Sequence, residues 1–322
     1  MSILFLTNSV LTTLQDTGRN DFRHLGINPN GAMDKSAARL INILLGNSET
    51  EGVLEMHFPA PKILFEQDAV IALGGAHFDA KIGDGAIENW QIVRVKKGDV
   101  LSFERKRFGS RLYLAIRGGF RAEKWLGSFS TNLKAQIGGF DGRALRKNDR
   151  IFFESEVQTP KLKARYRISN ALIPNYSYSP TIRVVSGAEW QDLTAESRES
   201  FLRQSFAIRT ESDRMGFRLR GELLNLCGKI ELVSSAVNFG TIQLLPDGEL
   251  IILMADHQTI GGYPRIAHIV GADLSLVAQL GANDKLNFEL ISLAEAEDLM
   301  IKFEKELDWL RVGCRLKNNA EN

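Results

Sequence analysis

The chain has 322 residues, 44% hydrophobic and 25% charged, an ordinary globular composition with room for about two domains. Forty Lys and Arg against 39 Asp and Glu leave a net charge of +1, which argues against a nucleic-acid binder, and no apolar run nears the ~20 residues of a membrane helix. The N-terminus lacks a signal-peptide pattern, and the two cysteines, Cys227 and Cys314, stand in unrelated contexts, so a cytoplasmic protein with reduced thiols is expected.

Residues 2–6 read as a strand. The polar, glycine-punctuated segment 14–19 follows, and 31–34 leads into a helix. Asp34 suits its N-cap, Leu40, Ile41, Leu44 and Leu45 form its apolar face, and Gly46 stands where a C-terminal glycine belongs. From Val53 to Phe153 short strand patterns alternate with Gly, Asp and Asn. Residues 154–180, polar and carrying Pro160, Pro174 and Pro180, read as a linker or long excursion. Beyond it come a strand at 181–185, a helix at about 195–203 capped by Thr194, more short strands, and a short helix over 273–280. Ser292 and Glu295 form a capping box for a final helix with Leu299, Met300, Phe303, Leu307 and Leu310 on one stripe.

One nine-residue pattern occurs three times, at 95–103, 145–153 and 280–288. Each copy has Gly-Asp or Asn-Asp at a tight turn, followed by apolar residues two apart. The expected class is mainly β with a few helices, in two β-rich units. The boundaries drawn are 1–155, a linker over 156–180, a second unit over 181–291, and a helix and tail over 292–322.

The stretch 250–269 concentrates the polar signals. An apolar run, 250–255, reads as a strand buried on both faces and ends in Asp256, His257, Gln258 and Thr259; then Gly261, Gly262, Tyr263 and Pro264 turn the chain into a second strand. Either the polar residues cap a hairpin, or the two glycines let a ligand approach closely. Three further clusters stand out: Gln15, Asp16 and Arg19; Met33 and Asp34; and Asp213 and Arg214. Each has a structural alternative, a surface turn for Asp213 and a helix cap for Asp34. Gln243 is a polar amide inside the apolar strand pattern 241–245 and must find partners there. There is no P-loop, since Gly228-Lys229 is followed by Ile230, no H-E-x-x-H spacing among the five histidines, and no G-x-S-x-G elbow. No methionine neighbours a lysine as a biotin carrier requires.

In their order these motifs resemble the carboxyltransferase-type family of allophanate hydrolase subunit 2, which takes in the KipI antagonist and the C-type subunit of bacterial ATP-dependent 5-oxoprolinase. The resemblance runs through residues 13–19, 31–34, 72–76, 113–119, 127–131, 138–143, 212–219, 240–243 and 255–264. Asn30 stands where relatives usually have Ser, His257 where they often have Arg, and Ser234-Ser235-Ala236 where they have Ser-Glu-Gly.

The resemblance implies two cyclophilin-like β-barrel units in one chain and a role as the C-type subunit in ATP-driven opening of the 5-oxoproline lactam to glutamate. It implies two protein partners, a KipI-like B-type subunit plus a LamB/YcsF-like A-type subunit, with ATP bound together with the partner, and no nucleic acid or membrane. Asp16, Arg19, Asp213, Arg214, Asp256, His257 and Gln258 are the implied catalytic groups. Gln15, Met33, Asp34, Gln243, Thr259, Gly261, Gly262 and Tyr263 are the implied substrate-binding groups, and all are expected to converge on one cleft. Arg19, Arg214 and the 261–262 backbone would face developing negative charge, while Asp16 or Asp256 would orient a proton or water. Two alternatives remain: a carboxyltransferase acting on urea or a related amide, with biotin supplied in trans, and a non-enzymatic antagonist of a KipI-like inhibitor.

Overall fold

The computed structural model describes residues 1–154 and 166–320. They form two compact units, one of Met1–Arg19, Asn30–Pro174 and Glu304–Asn322, the other of Asn20–Pro29 and Asn175–Phe303. The division is not linear along the chain: the short piece Asn20–Pro29 counts with the second unit and the chain's end with the first. The chain is mainly β with few helices, as its patterning predicts.

In the first unit a seven-stranded sheet runs Phe120–Arg121, Arg150–Phe153, Ser2–Phe5, Ile63–Phe65, Val100–Phe103, Ala80–Ile82, Gly85–Ile87. A five-stranded sheet runs Thr12–Gln15, Val53–Met56, Phe108–Ile116, Ala69–His77, Ile92–Val95. Alternation sends Ile3, Phe5, Phe65, Leu101 and Ile151 of the first and Leu14, Leu54, Ile71 and Leu112 of the second into one core. Each such side chain contributes about 1.5–3 kcal/mol on full burial. Helix α1, Lys35–Leu45, packs on the strands Ala69–His77 and Phe108–Ile116, which are therefore buried on both faces and read as apolar runs. Its ends follow the sequence: Asp34 accepts from Ala37 N, and Gly46 at φ 77° lets the cap N–H reach the carbonyls of Asn42 and Ile43. Gly74 allows the helix to approach the sheet, since a Cβ there would lie 2.6 Å from Ile41 and 2.8 Å from Trp90.

The second unit is a closed barrel, in the order Thr181–Ser186, Arg265–Ile269, Thr241–Leu244, Leu250–Leu253, Gly216–Arg220, Phe206–Ile208, Lys285–Leu290. Its last strand pairs in parallel with its first. Helix α2, Ala195–Arg203, starts at the predicted Thr194 cap and inserts Phe201, stacked on Phe288 at 4.5 Å. The short helix expected over 273–280 is a 3₁₀ turn, Gly271–Asp273, and then α3, Leu274–Ala278. Asp273 leaves the helix uncapped because its carboxylate holds Arg183, at 2.8 Å from the backbone N and 2.9 Å from Nε. Helix α4, Leu293–Ala320, opens on the predicted capping box, with Ser292 N donating to Glu295 at 2.8 Å and Glu295 N to Ser292 at 3.2 Å.

The repeated pattern is one device used three times. Gly98, Asn148 and Asn283 take φ of 93°, 71° and 68°, a region open to Gly and tolerated by Asn. The next residue, Asp99, Asp149 or Asp284, accepts from the N–H three residues back at 2.8, 2.7 and 2.8 Å. Each turn then trades two backbone bonds with the last residue of a neighbouring strand, Phe65, Phe5 or Ile208. The third copy stands in the second unit, so both units end a strand in the same way.

Part of the expected linker is built into the first unit. Ile92 N donates to Tyr166 O at 2.9 Å, Ile168 N to Trp90 O at 2.8 Å, and Ile168 is fully buried. Its polar composition hid this because the pairing is through the backbone. Residues 155–165 of that expectation lie outside the described residues.

Candidate functional site

In the first unit the strand Thr12–Gln15 ends in a buried polar turn. Gln15 donates to Thr13 Oγ1 at 3.0 Å and to Thr131 O at 3.3 Å, while its buried Oε1 has no hydrogen-bond partner among the described residues. Asp16 accepts from Gly18 N, Ser128 Oγ and Phe129 N, each at 2.7 Å, and from Ser130 Oγ at 2.5 Å. A carboxylate with four such donors anchors the 128–130 loop. Arg19, 2% exposed, donates to Asn30 Oδ1 and Ser130 O and lies 4.9 Å from the Trp125 ring centroid. Asn30 and Gly31, at φ 55° and 102°, turn the chain tightly against 17–18, where a Cβ on Gly31 would lie 3.0 Å from Gly18 N.

Met33 and Asp34 are fully buried, and the Asp34 carboxylate serves the α1 cap. Their backbone N–H groups are held from below. Met33 N donates to Glu55 Oε2 at 2.8 Å, Asp34 N to Tyr113 Oη at 2.8 Å, and Tyr113 Oη to Glu55 at 2.7 Å. Burial first, and then the Glu55 and Asp34 charges, push the Tyr113 phenol well above its ordinary value, so it stays a proton donor. Sequence reasoning missed Glu55 as a partner of this loop. Its signal was a carboxylate inside the apolar strand Val53–Met56, the same kind that singled out Gln243.

In the second unit the stretch 250–269 is not a hairpin. The strands Leu250–Leu253 and Arg265–Ile269 both pair with Thr241–Leu244, which lies between them. Residues 254–264 therefore cross over a strand end, and capping a hairpin cannot be the role of Asp256 and Thr259. Asp256 is instead paired two-pronged with Arg214, at 2.9 Å to Nε and 2.9 Å to Nη2, and its N–H donates to Arg214 O at 2.8 Å. Asn28 Nδ2 donates to the carbonyls of Asp256, at 3.1 Å, and His257. Asp213 is exposed and accepts from Met215 N at 2.7 Å, which is the surface-turn alternative.

His257 is 1% exposed, with Nδ1 2.5 Å from Gln258 O. Gln243, equally buried, donates to Tyr263 O at 3.3 Å. A Cβ on Gly261 would lie 2.8 Å from Gln243 Nε2 and 3.5 Å from Gln258 Nε2, so this glycine lets two carboxamides converge. Gln258 and Thr259 are half-buried, and Gly262 and Tyr263 are exposed beside a groove of about 800 Å³. Paired carboxamides offer both donors and acceptors, which matches the hydrogen-bonding pattern of an amide or ureido group. Within the second unit the structure gathers Gln243, Gln258, Gly261 and Tyr263, and within the first it gathers Gln15, Asp16, Arg19 and Asn30.

Residues 25–290 match the family described as carboxyltransferase domain, subdomain A and B. The chain is 38% identical over 306 residues to the 5-oxoprolinase C subunit of Haemophilus influenzae, covering 95% of this chain and 96% of that protein. It is 36% identical over 308 residues to the Escherichia coli protein of the same name, with the same coverage. Among solved structures, the K. lactis urea amidolyase superposes with a TM-score of 0.88 at 28% identity, over 96% of this chain and 20% of that one.

Proposed function

Since the chain belongs to the carboxyltransferase domain family, subdomain A and B, we propose that it is the C-type subunit of an ATP-dependent 5-oxoprolinase. It would open the 5-oxoproline lactam to glutamate together with a KipI-like B-type subunit plus a LamB/YcsF-like A-type subunit. The observation that carries this reading is the near end-to-end match with two proteins named as the C subunit of 5-oxoprolinase, each covered over 96% of its length. The carboxamides of Gln243 and Gln258 beside Gly261 support an amide-bearing substrate, because a lactam presents one N–H and one C=O in a plane. A lactam is a poor electrophile, and ATP would supply the phosphoryl group that turns its oxygen into a leaving group. Arg19 and Arg214 are engaged within the chain, on Asn30 and Ser130 and on Asp256, which favours a nucleotide held with the partner.

The test is glutamate release from 5-oxoproline by the purified chain, alone and mixed with the A-type and B-type partners. ATP-dependent release only by the mixture is expected; release by the chain alone, or none by the mixture, overturns the reading. The K. lactis structure favours a second reading, carboxyl transfer to urea or a related amide with biotin supplied in trans. Carboxylation of urea on adding a biotinylated carrier protein, without lactam opening, would select it.

A further inference from the structure

Residues 228–231 of the second unit line one wall of the 800 Å³ groove, 232–234 carry the chain on to the strand Ser235–Ala236, and among the described residues the backbone N–H and C=O groups of 228–234 make no hydrogen bond within the chain. The run is fastened at both ends. Before it, Cys227 N donates to Asp192 O at 2.7 Å; after it, Ser235–Ala236 pairs with Ile260–Gly261, and Val237 N donates to Thr259 O. Exposure alternates along it: Lys229 and Glu231 face out, while Ile230 and Leu232 are half-buried. That is the pattern of a strand with one side seated and no ladder partner. Val233 within it is 92% exposed, and the groove beside it carries the exposed Leu223, at 58%, and Tyr263, at 46%.

We infer that residues 228–234 and the adjoining groove receive an extended segment of the partner polypeptide, which adds as a strand. A row of alternating donors and acceptors is matched by another backbone, and the apolar flanks supply pockets for alternate side chains. The inference rests on the assembly proposed above, and the partner used to test it is the KipI-like B-type subunit. The added strand lies beside Gly262 and Tyr263, so docking of the partner would close one side of the carboxamide cluster.

Hydrogen exchange of the full chain, free and with the purified KipI-like partner, reads the contact directly. Amides across 228–234 are expected to exchange fast in the free chain and at least ~10-fold slower in the complex. Two double variants, Lys229→Pro with Glu231→Pro and Leu232→Pro with Ser234→Pro, delete donors on opposite edges. One of them is expected to weaken binding about tenfold, the loss of two backbone bonds, with the melting point of the free chain unchanged. A complex that forms with 228–234 still exchanging fast, or that both variants leave intact, overturns this inference and leaves the assembly standing. Protection already present in the free chain, whether fixed (a segment of its own) or rising with its concentration (a second copy), also overturns it. Failure to form any complex removes the assembly and the inference together.

Discussion

At the scale of single residues, the polar groups singled out by the sequence separate into anchors and open groups. Asp16 and Asp34 are anchors, their carboxylates engaged by donors inside the chain. Asp256 is one as well: its side chain is 14% exposed, and that of its partner Arg214 is 7% exposed. Asp256→Asn is therefore expected to lower stability by about 1–3 kcal/mol, because it leaves a buried guanidinium short of its carboxylate. Gln258 is half-buried and packs beside Gly261, so Gln258→Ala is expected to stay within about 0.5 kcal/mol of the parent chain while abolishing turnover by the assembled enzyme. Thermal unfolding and activity of the two variants, measured together, decide the matter. A stable Asp256→Asn would mean the ion pair contributes little, and an active Gln258→Ala would remove that carboxamide from the site.

At the scale of elements, the repeated turn shows a local rule reused with different support. Asp99 and Asp284 bond their own turns, whereas Asp149 also holds Arg143 two-pronged at 2.6 and 2.9 Å. The Arg143 hydrogen bond, opposed by burial and helped by the Arg146 N–H, holds the Asp149 carboxyl below its ordinary value. A lowered folded-state value means that the unfolded chain takes up the proton first. This stabilisation is present above the ordinary carboxylate range and is lost as pH falls through the folded-state value. Of Asp99→Ala, Asp149→Ala and Asp284→Ala, the middle change should cost most, about 1–3 kcal/mol. It should also flatten the acid side of the stability curve. Urea unfolding from neutral pH down through the carboxylate range, about pH 7 to pH 3, checks both. Equal losses in all three would mean the Arg143 pair adds nothing.

At the scale of the whole molecule, the chain's end is structural. From Glu304 onward α4 belongs to the first unit, where Glu304 pairs with Arg39 at 2.6 and 2.7 Å and Arg311 donates to Glu49 at 2.5 Å. Leu307, between them, is 1% exposed, while Trp309 is 72% exposed. Leu307→Ala is expected to cost about 2–5 kcal/mol and lower the melting point by several degrees, against less than about 0.5 kcal/mol of folding stability for Trp309→Ala. An unchanged melting point for Leu307→Ala would show that this part of the helix does not seal the unit.

What the sequence determined alone are the features whose partners lie within a few residues. The Asp34 and Thr194 caps, the Gly46 terminus, the Ser292–Glu295 box and the three Asp turns all rest on bonds spanning three or four positions. Residue type and spacing suffice there, because the chain cannot place such neighbours far apart. The carboxylate of Asp16, by contrast, finds Ser128 and Ser130 more than a hundred residues away, and Tyr113 meets Glu55 across paired strands. The strand Thr241–Leu244 settles between two segments that read as one hairpin, and Asn20–Pro29 joins the unit its sequence neighbours do not. The apolar pattern states that each strand has a buried face, but many partners satisfy that requirement. Which partner, and therefore which polar groups become anchors and which stay open to a ligand, was decided only when the sheets packed and brought buried donors to acceptors distant in the chain.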